Sequence, residues 1–285
     1  MLILFFGFFI EPGMCLMKKL NSNFLKFLTI LILLSYKSFS LDGHLFSPLT
    51  ANILEPRIGC VFQLTEKKLR LDIGTTVDLF EFDSGEESKT RIGTDFFTLS
   101  RLRSEGNMKF PVETADYFFG VNGTTKGKLN GLNYSARLRL AHISSHIVDG
   151  LAHDTILNRK PFVYSREFAE ITGAINFDEF RCYAGLTYVF SRQPKITNPV
   201  IPQIGFDFNY KINQYIKVLA GYDFKLSGFD DVYFGTHSAQ AGIEFVTSNE
   251  IGILISGYYF NGKSIHGMFY TENDSYYGVG FQVVY

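Results

Sequence analysis

The run Asn133–Gly150, NYSARLRLAHISSHIVDG, reads as a strand that changes chemical character along its length. Tyr134, Ala136, Leu138 and Leu140 fall on one face and Ser135, Arg137 and Arg139 on the other. That two-residue period belongs to a strand with an apolar environment on one side and a polar one on the other. The apolar face then continues as His142, Ser144 and His146. A greasy face that ends in imidazoles and a hydroxyl is either a strand top anchored at a polar boundary or a set of groups capable of chemistry.

The same rhythm extends along the chain in both directions. Upstream, Ile58, Cys60, Phe62 and Leu64 alternate with Gly59, Val61 and Gln63, and Leu71, Ile73, Thr75, Val77 and Leu79 with Arg70, Asp72, Gly74, Thr76 and Asp78. Downstream, Ile204, Phe206, Phe208 and Tyr210 oppose Gly205, Asp207 and Asn209, and Ala239, Ala241, Ile243 and Phe245 oppose Ser238, Gln240, Gly242 and Glu244. Only Arg91–Leu102 resists a face assignment, because Phe96 and Phe97 are adjacent. Segments of roughly ten residues or more are long for a soluble sandwich and suit strands that cross a hydrocarbon layer at a tilt. Short turns at Asn176–Glu179, Asn213–Gln214 and Ser248–Glu250 alternate with longer polar loops at Ile147–Phe162, Ser191–Val200, Ser227–Thr236 and Asn261–Asp274. The pattern predicts an all-β fold, an antiparallel transmembrane β-barrel of about twelve strands with short periplasmic turns and long outer loops.

Composition agrees. Phe 30, Tyr 16 and Gly 26 in 285 residues, 46% hydrophobic and without Trp, indicate aromatic strands whose apolar residues are diluted by alternation. The mean hydropathy is only +0.06. A formal net charge of -1 leaves no basic excess to neutralise phosphates, so no nucleic-acid partner is expected.

At the front, Met17, Lys18 and Lys19 precede the apolar run Phe27–Leu34, and Ser38 and Ser40 offer small residues two apart before Leu41. These are the three parts of a secretory signal, and the apolar run is too short to span a bilayer. Residues 1–40 are therefore expected to be an upstream extension plus a signal peptide, 41–56 a strand-poor periplasmic lead-in broken by Pro48 and Pro56, and 57–285 an outer-membrane β-barrel. Cys15 follows Met14, not a small residue, so acylation is not expected. Cys60 and Cys182 lie on apolar faces of different strands and read as small buried hydrophobes, with a disulfide possible only if those strands meet.

At the other end, Tyr277, Val279, Phe281, Val283 and Tyr285 form an apolar row ending in an aromatic. The row resembles the terminal strand by which the barrel insertion machinery recognises outer-membrane proteins, without the usual polar residue near Gly278. The expected partners are that machinery and outer-membrane lipids, and the expected location is the bacterial outer membrane.

Counting strands back from the C-terminus puts His142 and Ser144 on the lipid side at outer-leaflet height. Side chains two apart on a strand point the same way, close enough for an imidazole to act on a hydroxyl as general base. The sequence HIS at His142–Ser144 is similar to the His-x-Ser element of outer-membrane phospholipase A and the lipid A deacylases, although Ser145 stands where the lipases carry Asn. That resemblance implies Ser144 as nucleophile and His142 as base. Glu167, on the next strand in VYSREFAEITGAI, is the candidate orienter if the two strands pair symmetrically across their loop. His146, Asp149 and His153 could together hold a divalent cation; no other cofactor is expected. On the inward face, Arg137 and Arg139 are expected to pair with lumenal acids such as Asp78, Asp207, Asp223 and Glu244. The chain also resembles an uncharacterised bacterial family, domain of unknown function 1207, through LFSPLTAN (Leu45–Asn52), ADYFFG (Ala115–Gly120), SARLRLAHISSH (Ser135–His146) and SREFAE (Ser165–Glu170). That resemblance implies an outer-membrane location and no activity. The leading reading of function is a membrane-embedded scaffold or narrow channel without assigned activity; the alternative is an outer-leaflet lipid esterase of phospholipase or lipid A deacylase type.

Overall fold

The computed structural model describes residues 43–85, 87–148, 162–247 and 251–284. Among them twelve strands occur in chain order: β1 (Ile58–Gln63), β2 (Lys68–Gly85), β3 (Ser88–Arg103), β4 (Val112–Leu129), β5 (Leu132–Ile147), β6 (Tyr164–Phe177), β7 (Phe180–Gln193), β8 (Val200–Lys211), β9 (Ile216–Phe229), β10 (Val232–Val246), β11 (Gly252–Lys263) and β12 (Asn273–Val284). Each pairs antiparallel with its neighbours in sequence, and β1 pairs with β12 to close the barrel. Closure removes the sheet edges that would otherwise invite aggregation. The fold class is the expected one. The expected signal and extension, residues 1–40, and the terminal Tyr285 lie outside the described residues.

Call the end of the barrel that carries Ile58 and Val284 the lower end. Turn chemistry sets the lower hairpins. Asn130 and Gly131 both have positive φ between paired Leu129 and Leu132, as a two-residue type I′ turn requires. One expected upper loop is absent: within Ser227–Thr236, β9 and β10 stay paired to Phe229–Val232 and turn on Asp230 and Asp231, at φ 52° and 59°. Asp tolerates this left-handed region, so a stretch that looks like a polar loop becomes a tall hairpin.

Alternation divides wall from lumen along each strand. On β5, Ser135, Arg137, Arg139, Ala141, Ile143 and Ser145 are buried inside, while Leu138 and Leu140 are more than half exposed outside. The awkward Phe96–Phe97 pair resolves the same way, Phe97 inward and Phe96 outward, each facing its like, Phe118 and Phe119, on β4. Outside, Ile171, Ile204, Ile255, Tyr277 and Phe281 continue an apolar surface around the barrel.

The lumen is packed in layers, with the buried pairs Arg101–Glu113 and Asp116–His266 towards its top. Its upper part holds an apolar cluster that includes Phe97, Leu99, Phe118, Ile143, Phe168 and Phe260, joined by Ile53. Below it lie buried charges from β2–β10. Residues 43–56, the described part of the expected lead-in 41–56, thread the lumen together with Arg57: Leu49 and Glu55 are fully buried and Ala51 and Asn52 nearly so. The segment carries its own polar groups, and those find partners only on the charged inner wall. Cys60 and Cys182, on β1 and β7, are both free thiols, and they are not the buried hydrophobes expected: Cys60 is half-buried and Cys182 is exposed, because both fall on the outward-facing side of their strands.

Candidate functional site

Two polar clusters share β5 and β6, one on each side of the wall. The outer one is built on the register that sets His142 opposite Glu167 and Ser144 opposite Ser165. His142 Nδ1 lies 2.9 Å from Glu167 Oε1. A carboxylate only accepts, so the imidazole donates from Nδ1 and its Nε2 is left as the basic nitrogen. Ser165 Oγ donates to the same carboxylate oxygen at 3.1 Å. Ser191 stands opposite Glu167 on β7 and hydrogen-bonds it too. A register shift follows at once, since Phe168 faces Val189. A bulge of this kind turns side chains that regular pairing would aim elsewhere.

The cluster is half open: His142 and Glu167 keep 40% and 33% of their side-chain surface exposed. Its lower border is apolar, with Leu140 beside His142 and Ile171 below Glu167 on the outer face. Aromatic rings flank it on β4. Phe119 faces His142 and Tyr117 faces Ser144. Phe119 packs on Phe96 at 4.9 Å, and Tyr117 meets the His146 ring edge-on at 5.6 Å.

Ser144, His142 and Glu167 thus lie on one outer patch, and Ser165 and Ser191 are members that sequence reasoning missed. The signal for Ser165 was present, since it is two residues from Glu167 on the same strand face. Ser145 lies inside the wall, where its Oγ accepts from the Met268 N–H at 3.1 Å. It anchors the loop before β12 and takes no part in the outer cluster. Of the cation candidates, His146 is exposed at the top of β5, while Asp149 and His153 lie outside the described residues. Among the described residues no three His, Cys, Asp or Glu side chains gather as a metal site.

The inner cluster is closed. Glu55 receives Arg137 through both terminal nitrogens, at 2.8 and 2.6 Å, the planar fork matching the carboxylate. Arg139 donates to Asp95 at 2.8 Å and to Glu170 and Glu55 at 3.3 Å each. Every one of these side chains is at most 4% exposed. The acids expected for these arginines pair elsewhere: Asp207 with Arg181, Asp78 with Arg91, Glu244 with Lys217, and Asp223 with Tyr183 and Gln203. The reason is the threaded segment, which brings Glu55 to the middle of the lumen and claims both arginines.

The sequence model described as Protein of unknown function (DUF1207) matches residues 29–285. The chain belongs to this family. No curated protein sequence matches it. Among solved structures, the DUF1207 barrel is similar to outer membrane phospholipase A from Escherichia coli, at 12% identity and a TM-score of 0.53, over 83% of this chain and 93% of that one. It is also similar to the beta domain of the Bordetella autotransporter BrkA, at 11% identity and a TM-score of 0.44, over 79% and 94% of the two chains. OmpT of Vibrio cholerae aligns at 9% identity and a TM-score of 0.40, over 83% and 99%. At such identity the likeness to the phospholipase is one of fold. The DUF1207 chain has an outer-membrane-type β-barrel fold.

Proposed function

We propose that this barrel spans the bacterial outer membrane and hydrolyses acyl esters of outer-leaflet lipids at Ser144. The membrane assignment is supported by the exposed apolar wall, which water would not tolerate around a whole barrel, and by strands long enough to cross the hydrocarbon. A cleaved signal within residues 1–40 and assembly by the insertion machinery through β12, with Tyr277, Val279 and Phe281 facing outward, complete that reading. The lower end is then periplasmic.

The observation that carries the catalytic reading is the His142–Glu167 contact on the lipid-facing side of the wall. A half-exposed carboxylate and imidazole beside an apolar wall cost free energy unless they lie at headgroup depth. The flanking aromatics Tyr117 and Phe119 fit that depth. There Ser144 Oγ attacks the acyl carbonyl while His142 Nε2 takes its proton. The tetrahedral intermediate collapses to an acyl-serine as the same proton passes to the departing alcohol. Water, deprotonated by His142, then attacks the acyl-serine and releases a fatty acid and the free hydroxyl. Glu167 holds the imidazole's tautomer and offsets its transient charge. The scaffold reading makes the His142–Glu167 pair only an anchor at the polar boundary, and an always-open channel does not suit a lumen crossed by residues 43–57.

The test is to mix the purified protein with vesicles of phospholipid and lipid A, and follow acyl chains by mass spectrometry. A fluorophosphonate probe in parallel traps the activated serine. Fatty acid release and a Ser144 adduct, both lost in Ser144→Ala and His142→Ala, are expected. Equal release from the wild type and Ser144→Ala would overturn the assignment.

A further inference from the structure

Residues 43–57 cross the lumen without joining the sheet; β1 begins only at Ile58. Their links to the wall run through wall side chains. Arg181 donates to the carbonyls of Ser47 and Pro48 at 2.8 and 3.0 Å. The Thr50 N–H donates to Asp207 at 3.0 Å, and Lys225 to Asn52 Oδ1 at 2.7 Å. Arg137 and Arg139 hold Glu55. Phe46 is gripped by cation–π contacts from Arg137 and Arg181, at 4.8 and 5.4 Å. The barrel, by contrast, closes through its own strand-to-strand ladders and needs none of these bonds to remain a barrel.

The segment also has two sides. Asn52, Ile53 and Leu54 form part of the lining of an upper cavity of about 130 Å³. His44, Pro48, Thr50 and Arg57 line a lower vestibule of about 530 Å³. No residue lines both spaces. Residues 43–57 are therefore the partition between them. Glu55, near its C-terminal end, is fully buried, the one carboxylate in the segment, and it is held by two arginines rooted in the wall.

We propose that residues 43–57 are a displaceable plug, and that the barrel conducts ions and small hydrophilic solutes when the plug leaves the lumen. Withdrawal joins the two cavities into one passage. It is lined by charges of both signs, Arg181, Lys217, Asp207 and Glu244 below and Lys225, Glu170 and Asp223 above, so the open path discriminates little by charge. Its upper part keeps Phe97, Phe118, Phe168 and Phe260, a constriction that wets only when Ile53 and Leu54 no longer fill it. The latch is ionic. Glu55 loses its guanidinium partners when the plug leaves and regains water, whereas Arg137 and Arg139 keep Glu170 and Asp95. Opening thus costs this fork together with the Arg181, Asp207 and Lys225 contacts to the plug and the packing of Phe46.

The experiment compares single-channel currents in planar bilayers of potassium chloride for the wild type, Glu55→Gln and a chain lacking residues 43–56. Insertion is checked by heat-modifiable migration and β-sheet circular dichroism. The wild type should be closed for most of the record and the deletion steadily open. Glu55→Gln, which keeps the shape and loses the charge, should raise the open fraction about ten- to a hundredfold, as expected for losing one charge-assisted fork. An inserted deletion variant that passes no current, or a wild type as open as the deletion, overturns the proposal. If the deletion fails to insert, Glu55→Gln decides alone, and an open fraction equal to that of the wild type overturns it.

Discussion

On the two sides of the β5–β6 wall, a few ångströms of backbone separate two arrangements of nearly the same chemistry. Inside, Arg137 and Arg139 meet Glu55, Glu170 and Asp95 with almost no surface left to solvent. Outside, His142 meets Glu167 with a third or more of each side chain exposed. The inner groups hydrogen-bond chiefly to one another, with only Arg137 Nε among them left without a partner, and such a network sets one arrangement of the lumen. The outer imidazole gives Nδ1 to Glu167 and keeps a second nitrogen for work. The closed charge cluster is architecture, and the proposed esterase role rests on the second nitrogen of the outer imidazole.

Mutations on opposite faces of the same two strands should separate these roles. The largest effect belongs to Ser144→Ala, which should lower fatty acid release by about 10⁴-fold or more, the scale on which nucleophile removal acts. Urea unfolding of the same variant should be unchanged, because the Ser144 hydroxyl sits on an open face. Glu167→Gln should follow, with a loss of about 10²–10⁴-fold, since an amide neither fixes the imidazole tautomer by acceptance alone nor offsets its charge. A Glu167→Gln variant with full activity would reduce the outer contact to a surface ion pair. On the inner face the prediction reverses. Arg139→Ala should cost about 3–5 kcal/mol of unfolding free energy by leaving buried carboxylates uncompensated, with activity per folded molecule retained. Loss of activity in the folded Arg139→Ala protein would show that the two faces are coupled through the strand.

How much of this was legible in the chain depends on where periodicity holds. Ser135 to His146 alternates without interruption, so the side of the wall taken by Arg137, Arg139, His142 and Ser144 follows from counting. Symmetric pairing across one loop then set Glu167 beside His142, as the structure has it. Glu55 was not legible as the partner of two wall arginines. It lies in a stretch with two prolines and no period, where only tertiary contact decides between solvent and lumen. The upper apolar layer was hidden for a related reason: the inward Phe97, Phe118 and Phe168 look like lipid-facing residues, because a hydrophobic pattern records a dry environment and not which side of the sheet it is on. The Asp230–Asp231 turn read as loop because acidic residues are a weaker hairpin signal than Asn-Gly.

The smallest expected effect is the one that tests the outer assignment most closely. Ser165 lies opposite Ser144 and donates to Glu167 Oε1 at 3.1 Å, so it shares the cluster without touching the basic nitrogen of His142. If its role is to steady Glu167, Ser165→Ala removes one half-buried hydrogen bond while leaving the His142 contact and the Ser191 partner in place. Such a loss is worth about 1 kcal/mol and should slow hydrolysis by about tenfold or less. The fluorophosphonate adduct should still form at Ser144 in that variant. A fall as deep as that of Ser144→Ala, or an adduct mapped to Ser165 in the wild type, would move the nucleophile across the strand pair. It would keep His142 and Glu167 in their roles and make Ser144 the supporting hydroxyl, because two serines facing each other across one register position can exchange parts without any change in the fold.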